Sequence, residues 1–381
     1  MNLDSAIAPH LRCPRTRNRS VGDDYVPMFP GYTVRPSSGI TQVVMANFGV
    51  QTLAGTGHDE AWRAVRRIVE SFRCDDGPEH CELAAHVDGA GYSNFVAMAF
   101  WSDPARQARW QGGHVEAWWG KREREHDGLG YFQEILSPRI ERYETLLSDS
   151  DRAEGAGTIL GGITELPIRE HGYWGSSRDR MPFSQTDEMA ASGRLAARRA
   201  RTGRVVIEGH DNLAYIRSGQ DWADADENER TLYLRYMERP LRAGMDFLER
   251  DGASLGCYAS RYMRHVDTTG ASMEKSFGMG YWRSLADMEA WAAAHPTHKA
   301  IVGAFPPVGR KLNFELKLRL YHEVAVLKAC EQAYEYINCH AATGLAGALS
   351  RMRDGCDLGS STPRTDARGY MGKPAIPMTK P

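Results

Sequence analysis

The chain has 381 residues, with 47 lysine and arginine residues against 49 aspartate and glutamate residues, and a formal net charge of -2. Its 42% hydrophobic, 9% aromatic and 25% charged residues exclude a wholly disordered chain, a collagen and a coiled coil. The length predicts two to three structural units, and the balanced charge argues against nucleic-acid binding, which needs a basic face.

The cysteines and the N-terminal segment indicate a cellular compartment. Seven scattered cysteines form no Cys-x-x-Cys pair, so we expect reduced thiols and no zinc ribbon. The first twenty residues lack the apolar core of a signal peptide. No run approaches the roughly 20 apolar residues of a membrane span. We therefore expect a cytoplasmic protein without a membrane partner.

In chain order, residues 1–30 are polar and rich in proline, and we expect an extended arm. The body that follows contains a weak internal repeat, in residues 95–114 and 276–295. Each copy has a tryptophan, a second tryptophan nine residues later and a histidine thirteen residues after the first, at a constant offset of 181 residues. The matched residues are Trp101, Trp110 and His114 in the first copy, and Trp282, Trp291 and His295 in the second.

The same order of strand and helix surrounds each copy. Hydrophobic periodicity predicts strand, helix, strand, helix, strand in each half. The further segments are 42–51, 61–72 and 130–146 in the first half, and 212–222, 230–250 and 312–327 in the second. This order predicts an α+β fold of duplicated ferredoxin-like units that form a barrel-like sheet core flanked by helices. The halves are expected at 31–165 and 166–345, with a flexible tail at 346–381 that is rich in glycine, serine, proline and arginine.

One histidine breaks the symmetry of the repeat. His298 follows His295 by three residues, whereas the matching position in the first half is Ala117. A histidine present in one copy only is a candidate ligand for one asymmetric site. The alternative is a surface histidine at a helix terminus.

Two further candidates lie on predicted strands. His322 shares a strand face with Leu320 and Val324 by the two-residue period, so it is either a core residue or a pocket residue able to transfer protons. Ser218 is followed by a glycine at a predicted strand end. It is therefore either a turn residue or a residue whose hydroxyl contacts a ligand. No Gly-x-Ser-x-Gly motif supports a hydrolase, and no phosphate-binding loop or His-Glu-x-x-His motif is present.

A polar and aromatic loop, residues 169–187, is a third candidate, with a solvated connection as the alternative. It contains His171, Tyr173, Trp174, Ser176, Ser177, Arg178 and Arg180.

In several longer segments, the sequence resembles the haem-containing aldoxime dehydratases, the aliphatic type in particular. The matching words are HLRCPRT (10–16), YVPMFP (25–30), DGLGYFQEI (127–135), HGYWGS (171–176), FSQTD (183–187), GHDN (209–212), IRSGQDWADA (216–225), HPTH (295–298), LRLYHEV (318–324) and YEYINCH (334–340). They span almost the whole body of the chain and are highly specific. The connection between His298 and His322, which contains AFPPVGRK, is a few residues longer than is usual in that family.

The resemblance implies a reaction, a cofactor and an assembly. The reaction is the dehydration of an aldoxime, R-CH=N-OH, to a nitrile and water. The cofactor is non-covalent haem b, whose ferrous iron binds the oxime nitrogen, and the assembly is a homodimer. By the same resemblance, the proximal haem ligand falls on His298, the distal acid and base on His322, and the hydroxyl that holds the substrate on Ser218.

The resemblance also implies a distal arginine at Arg178 and a distal glutamate at Glu144, with Glu141 as the alternative glutamate. Competing readings are a haem peroxidase or chlorite-type enzyme, a haem carrier or gas sensor, and a non-haem site. The last would be built from His295, His298 and His322.

Overall fold

A computed structural model describes residues 2–201 and 203–353, and it confirms the predicted α+β class. Its main feature is a curled antiparallel sheet of twelve strands with helices on its outer side. The strands of that sheet are β2 (Val44–Leu53), β3 (His80–Val87), β4 (Tyr92–Trp101), β5 (Gly130–Leu136), β6 (Tyr143–Leu147), β8 (Ala196–Arg201), β9 (Arg204–Glu208), β10 (Leu213–Asp221), β11 (Cys257–Val266), β12 (Ser272–Trp282), β13 (Arg319–Leu327) and β14 (Gln332–Ile337). A separate pair consists of β1 (Val34–Pro36) and β7 (Gly161–Ile163).

Helix α5 shows how a helix buries one face against the sheet. In α5, Leu241, Gly244, Met245 and Leu248 are buried, which is the spacing of one helix face. The helices are α1 (His58–Ser71), α2 (Pro104–His114), α3 (Ser176–Arg180), α4 (Glu227–Leu232), α5 (Glu238–Asp251), α6 (Leu285–Ala294), α7 (Pro296–Lys311) and α8 (Gly344–Arg353), with short π-helical segments at Val115–Trp119 and Tyr233–Met237. Within the described ranges, none of them has the length and apolar character needed to cross a membrane.

The sequence repeat corresponds to a structural repeat. The rings of Trp101 and Trp110 lie 5.3 Å apart, and those of Trp282 and Trp291 lie 5.5 Å apart. Strands β2, β4 and β5 pair in the first half as β10, β12 and β13 do in the second. The last strands are exchanged: β6 of the first half pairs with β13, and β14 of the second half pairs with β5. The two halves therefore share one continuous sheet.

Three predicted segments differ from the observed elements. The strand expected over 130–146 is two strands, because Pro138 and a short 3-10 helix at Ile140–Arg142 interrupt it. The strand expected from residue 312 begins only at Arg319. The tail expected from residue 346 is wrong in its first part, because α8 is helical to Arg353 and buries Leu345. Residues 354–381 of that prediction lie outside the described residues.

The N-terminal arm is fastened to the loop at 169–187. The backbone N–H of Ser20 donates to Asp179 at 2.8 Å, and the Tyr25 hydroxyl donates to the carbonyl of His171 at 3.0 Å. The arm therefore holds in place the loop at 169–187, which borders the candidate site.

Candidate active site

Strands β10 and β13 form the floor of the candidate site. Ser218 and His322 are directly paired in the antiparallel ladder, and Leu146 of β6 is the next partner of His322. Both side chains are partly exposed, although the flanking Tyr321 and Glu323 are buried. Because alternate residues of a strand face opposite sides, the helix-facing side of these strands has open space in front of Ser218 and His322.

Helix α7 contributes a histidine to the other side of this space. The His295 side chain caps the helix by accepting from the backbone N–H of Thr297 at 3.3 Å. One turn later, His298 places Nδ1 2.8 Å from the carbonyl oxygen of Ala292. A carbonyl can only accept, so Nδ1 donates, and the lone pair of Nε2 is left for a ligand. Burial lowers the pKa of His298, which favours the neutral imidazole that a metal requires.

Aromatic rings hold the His298 imidazole in place. Its ring centroid lies 4.7 Å from that of Trp291 and 5.5 Å from that of Trp174, both edge to face. Trp291 is itself the second tryptophan of the repeat and donates to the Thr297 hydroxyl at 3.2 Å. The repeat therefore supplies a rigid support for the histidine that breaks its symmetry.

The face of α7 that carries His298 is apolar and uncovered. Val302, one turn after His298, is 40% exposed, and Trp174 is 46% exposed. Ile301, three residues after His298, packs over Gly244 of α5, where a Cβ atom would lie 2.8 Å from its Cδ1. The helix is thus anchored to α5, while Val302 and Trp174 leave an open apolar slot beside His298.

Three phenylalanines lie at the far end of this face. Phe305 follows His298 by seven residues, two helical turns. Phe29 of the arm lies 5.6 Å from the ring of Phe305 and 5.3 Å from that of Phe314. Phe314 ends the lengthened connection that the sequence indicated, so this connection contributes an apolar wall.

The chemistry of these side chains suits an apolar group with a metal at its centre. The slot offers one imidazole nitrogen from α7, and a hydroxyl and a second imidazole from the facing sheet. A non-haem site from three histidines does not fit, because His295 caps α7 and stacks on Phe247 at 4.6 Å. Within residues 2–201 and 203–353, no group of three or more His, Cys, Asp or Glu side chains could hold a metal ion.

A buried ion pair lies beside His322, and its arginine differs from the predicted one. Glu144 accepts from Arg180, with Nε 2.5 Å from Oε2 and Nη2 3.1 Å from Oε1, and also from the Ser177 hydroxyl at 2.6 Å. Arg178, the distal arginine that the resemblance implied, instead makes a two-point pair with Glu289 of α6, at 2.8 to 3.2 Å. Glu144 is therefore paired with Arg180 and not with Arg178, because two positions along the short helix α3 point in different directions.

The alternative glutamate lies outside this ion pair. Glu141 belongs to the short 3-10 helix before β6 and accepts from Arg139 at 2.5 Å. Of the two candidate glutamates, the structure places Glu144 in the group with Arg180. The sequence carried no signal that distinguishes Arg178 from Arg180, since both follow the HGYWGS word within a few residues.

The surroundings of His322 disfavour its charged form. Burial, and after it the Arg180 guanidinium and the neighbouring imidazoles of His298 and His171, lower the pKa of His322 to about 3. The imidazole is therefore neutral at neutral pH in this structure. A neutral imidazole can accept a proton directly, but it must first gain one before it can act as an acid.

The first half has no equivalent site, because tryptophans fill the space. Ala117, the counterpart of His298, lies in the π-helical segment whose Trp118 and Trp119 are buried. Trp119 donates to Glu335 of β14 at 2.5 Å, and His114 stacks on Trp110 at 4.7 Å. Among the described residues, the duplicated fold thus carries a histidine at the His298 position in the second half alone.

Comparisons with known proteins agree with this geometry. Residues 46–345 match the model of the haem-containing dehydratase family. The chain is 47% identical to an aliphatic aldoxime dehydratase of Rhodococcus globerulus over 347 residues, which cover 90% of this chain and 97% of that protein. It is 30% identical to a phenylacetaldoxime dehydratase of a Bacillus species, with 86% and 93% coverage. A crystal structure of an aldoxime dehydratase in complex with butyraldoxime matches with a TM-score of 0.87 at 44% identity, covering 91% of this chain and 96% of that one.

Proposed function

The chain belongs to the haem-containing dehydratase family, and we propose that it is a lyase that dehydrates aldoximes, R-CH=N-OH, to nitriles, R-C≡N, and water. The observation that carries the proposal joins three side chains. The Ala292 carbonyl holds Nδ1 of His298 and so leaves its Nε2 for a ligand, and His298 lies near enough to His322, the strand partner of Ser218, to lower its pKa. On this proposal an iron ligand lies next to the two polar groups that an oxime hydroxyl needs.

We propose that His298 holds haem b as its proximal ligand through Nε2. Bound there in its ferrous form, the haem would supply an open coordination position for the oxime nitrogen and electron density that weakens the N–O bond. Trp174, Trp291 and Val302 provide apolar surface for such a group. The remaining chemistry belongs to the side chains of the chain itself.

Hydroxide is a poor leaving group, so the oxime oxygen must be protonated as the N–O bond breaks. Ser218 donates or accepts a hydrogen bond at this hydroxyl and orients it. His322, the strand partner of Ser218, delivers a proton to the oxygen, which departs as water. The neutral His322 then takes the proton from the C–H carbon as the nitrile forms. One proton leaves and one returns, so the imidazole ends in its starting state.

Arg180 and Glu144 are proposed as the pair that controls the charge of His322. Arg180 both neutralises Glu144 and lowers the pKa of His322. A shift of Arg180 towards Glu144 and away from His322 would favour imidazolium. Arg178, bound to Glu289, supports α6, the helix that ends next to His298.

The wall formed by Phe29, Phe305 and Phe314 suits an apolar substituent on the aldoxime. We further propose that each chain consists of two halves, 31–165 and 166–345, and that two chains assemble as a homodimer in the cytoplasm; light scattering of the purified holoprotein tests the assembly.

The activity is tested by an anaerobic assay of the dithionite-reduced protein with butyraldoxime and phenylacetaldoxime. Formation of the corresponding nitriles is expected. A haem spectrum without nitrile would favour a carrier or sensor. Turnover of peroxide in place of aldoxime would favour a peroxidase.

A further inference from the structure

A second half-buried histidine, His171, lies in the distal part of the site. Its ring packs over Gly31, directly after the arm, where a Cβ atom would lie 2.8 Å from both Cγ and Cδ2. The same point is 3.1 Å from Cδ1 of Leu146, the strand partner of His322. His171 therefore lies on the side of the slot where His322 lies.

The backbone around His171 is held by the groups that organise the distal side. Arg180, the partner of Glu144, also donates to the carbonyl of Glu170 at 2.8 Å. The carbonyl of His171 accepts from Tyr25 at 3.0 Å. The Arg180 guanidinium thus holds both Glu144 and the residue before His171, so that one hydrogen-bond network connects them.

The Nδ1 atom of His171 is buried and has no hydrogen-bond partner among the residues that the structure describes. A buried ring nitrogen without a partner costs free energy unless a ligand or a water completes it. The nearest ring atoms to Gly31 are carbons, so this contact does not satisfy the nitrogen. The aldoxime reaction releases a water on this side of the slot.

We propose that His171 is a positioning residue that acts through His322: a water bridges the two imidazoles, and the pair holds one proton between them. This inference rests on the function proposed above. Once the pair has gained one proton from solvent, that proton passes to the departing hydroxyl as the N–O bond breaks. The C–H proton then returns to the pair, so protons balance over one turnover.

The charges around the pair are consistent with a single shared proton. Arg180 of α3 faces both imidazoles, His298 faces His322 from α7, and Glu144 of β6 is already paired with Arg180. A charge on His171 disfavours a charge on His322, and the reverse holds by reciprocity. A second proton on the pair is therefore disfavoured, whereas a neutral His171 can stabilise one on His322 by accepting a hydrogen bond.

The test compares wild type with His171→Phe, which keeps the ring volume and removes both nitrogens. Loss of the acceptor lowers the pKa of His322, so at pH 7 kcat should fall about 10-fold, the change that one pKa unit produces. KM should change by less than about 2-fold, and the optimum of kcat should move to lower pH. A direct readout is the ¹⁵N titration of His322 in the diamagnetic ferrous–CO form, whose midpoint should fall by about one pH unit.

His114→Phe is the matched control, because His114 is also buried with an unpartnered nitrogen, but it lies in the first half among tryptophans. It should leave both the pH profile and the His322 titration unchanged. His171→Gln retains a hydrogen-bond acceptor, so its kcat at pH 7 and its His322 titration midpoint should lie between those of wild type and His171→Phe. If His171→Phe fails to bind haem, His171→Gln replaces it in the test.

The proposal is overturned if His171→Phe or, failing that, His171→Gln has the wild-type pH profile and the wild-type His322 titration. Absence of nitrile formation by the wild type would instead reject the proposed function. The titration of the ferrous–CO form does not depend on turnover, so the two failures are distinguishable.

Discussion

Ser218 and His322 lie directly opposite each other in the ladder between β10 and β13, and both face the slot next to α7. A directly paired position brings two Cα atoms within about 4.5–5.5 Å. The hydroxyl and the imidazole can therefore reach the same small group. This relationship places the binding and the protonation of an oxime hydroxyl on adjacent side chains.

His298→Ala should remove haem without unfolding the protein. The substitution deletes the Nε2 ligand and leaves the cap of α7, which His295 provides. The purified variant should be soluble and lack a Soret band, as read by absorption. His58→Ala, at an exposed histidine of α1, is the control and should keep the band. Full haem occupancy in His298→Ala would reject the assignment of the ligand.

Ser218→Ala should keep haem and lose most turnover. One oriented hydrogen bond that strengthens in the transition state is worth about 10²–10³ in rate. Ser260→Ala is a suitable control, because its buried hydroxyl has no partner in the described part of the chain. The structure places Ser218 inside β10 and not in the turn that the sequence also allowed. If kcat of Ser218→Ala equals that of wild type, Ser218 is only a paired residue of this strand.

Arg180→Gln and Arg178→Gln form a matched pair that decides which arginine serves the distal side. Removing Arg180 leaves Glu144 buried without its cation, and breaking a buried pair costs about 3–5 kcal/mol. Turnover and the midpoint of urea unfolding should both fall. Arg178→Gln, whose partner Glu289 is partly exposed, should cost less in both measurements. The opposite order would return the distal role to Arg178.

Stability should fall as the pH falls below about 6.5. Burial lowers the pKa of His114 to about 4 and that of His265 to about 3. The unfolded chain then binds protons that the folded chain does not, so stability present above the unfolded pKa is lost towards the folded pKa. Each group contributes about 1.4 kcal/mol per pH unit in that range. Urea unfolding at pH 7, 6 and 5 should show a shallower decline for His114→Phe than for wild type. An equal decline of the unfolding free energy in His114→Phe and in wild type would show that His114 does not contribute to this pH dependence.

The sequence predicted the parts of the fold that depend on local pattern. The tryptophan pairs and the helices next to them carry their own periodicity and cap signals, as at Asp103 and Ser284. The exchange of β6 and β14 between the halves was not predictable, since it depends on pairing between strands that are far apart in the chain. For α8 a signal existed: Leu345, Ala348 and Leu349 have helical spacing, but the composition of the tail obscured it.

For the site, the resemblance to the family predicted which types of residue to expect. The tertiary structure was needed to decide which positions they occupy. Arg178 and Arg180 lie two residues apart, so only tertiary packing decides which one meets Glu144. The open slot in front of His298 likewise depends on the anchoring of α7 by Ile301 over Gly244. Neither the choice of arginine nor the anchoring of α7 can be predicted from a short segment of the sequence.

The most direct test of the account is nitrile formation by the reduced His322→Ala variant with butyraldoxime, measured against reduced wild type. Haem binding and the spectral response to aldoxime should persist, because they need His298 and an open slot, not His322. Nitrile formation should fall by at least about 10²–10⁴, the contribution of a general acid and base. Nitrile formation at near the wild-type rate would show that the proton comes from elsewhere and would contradict the central claim.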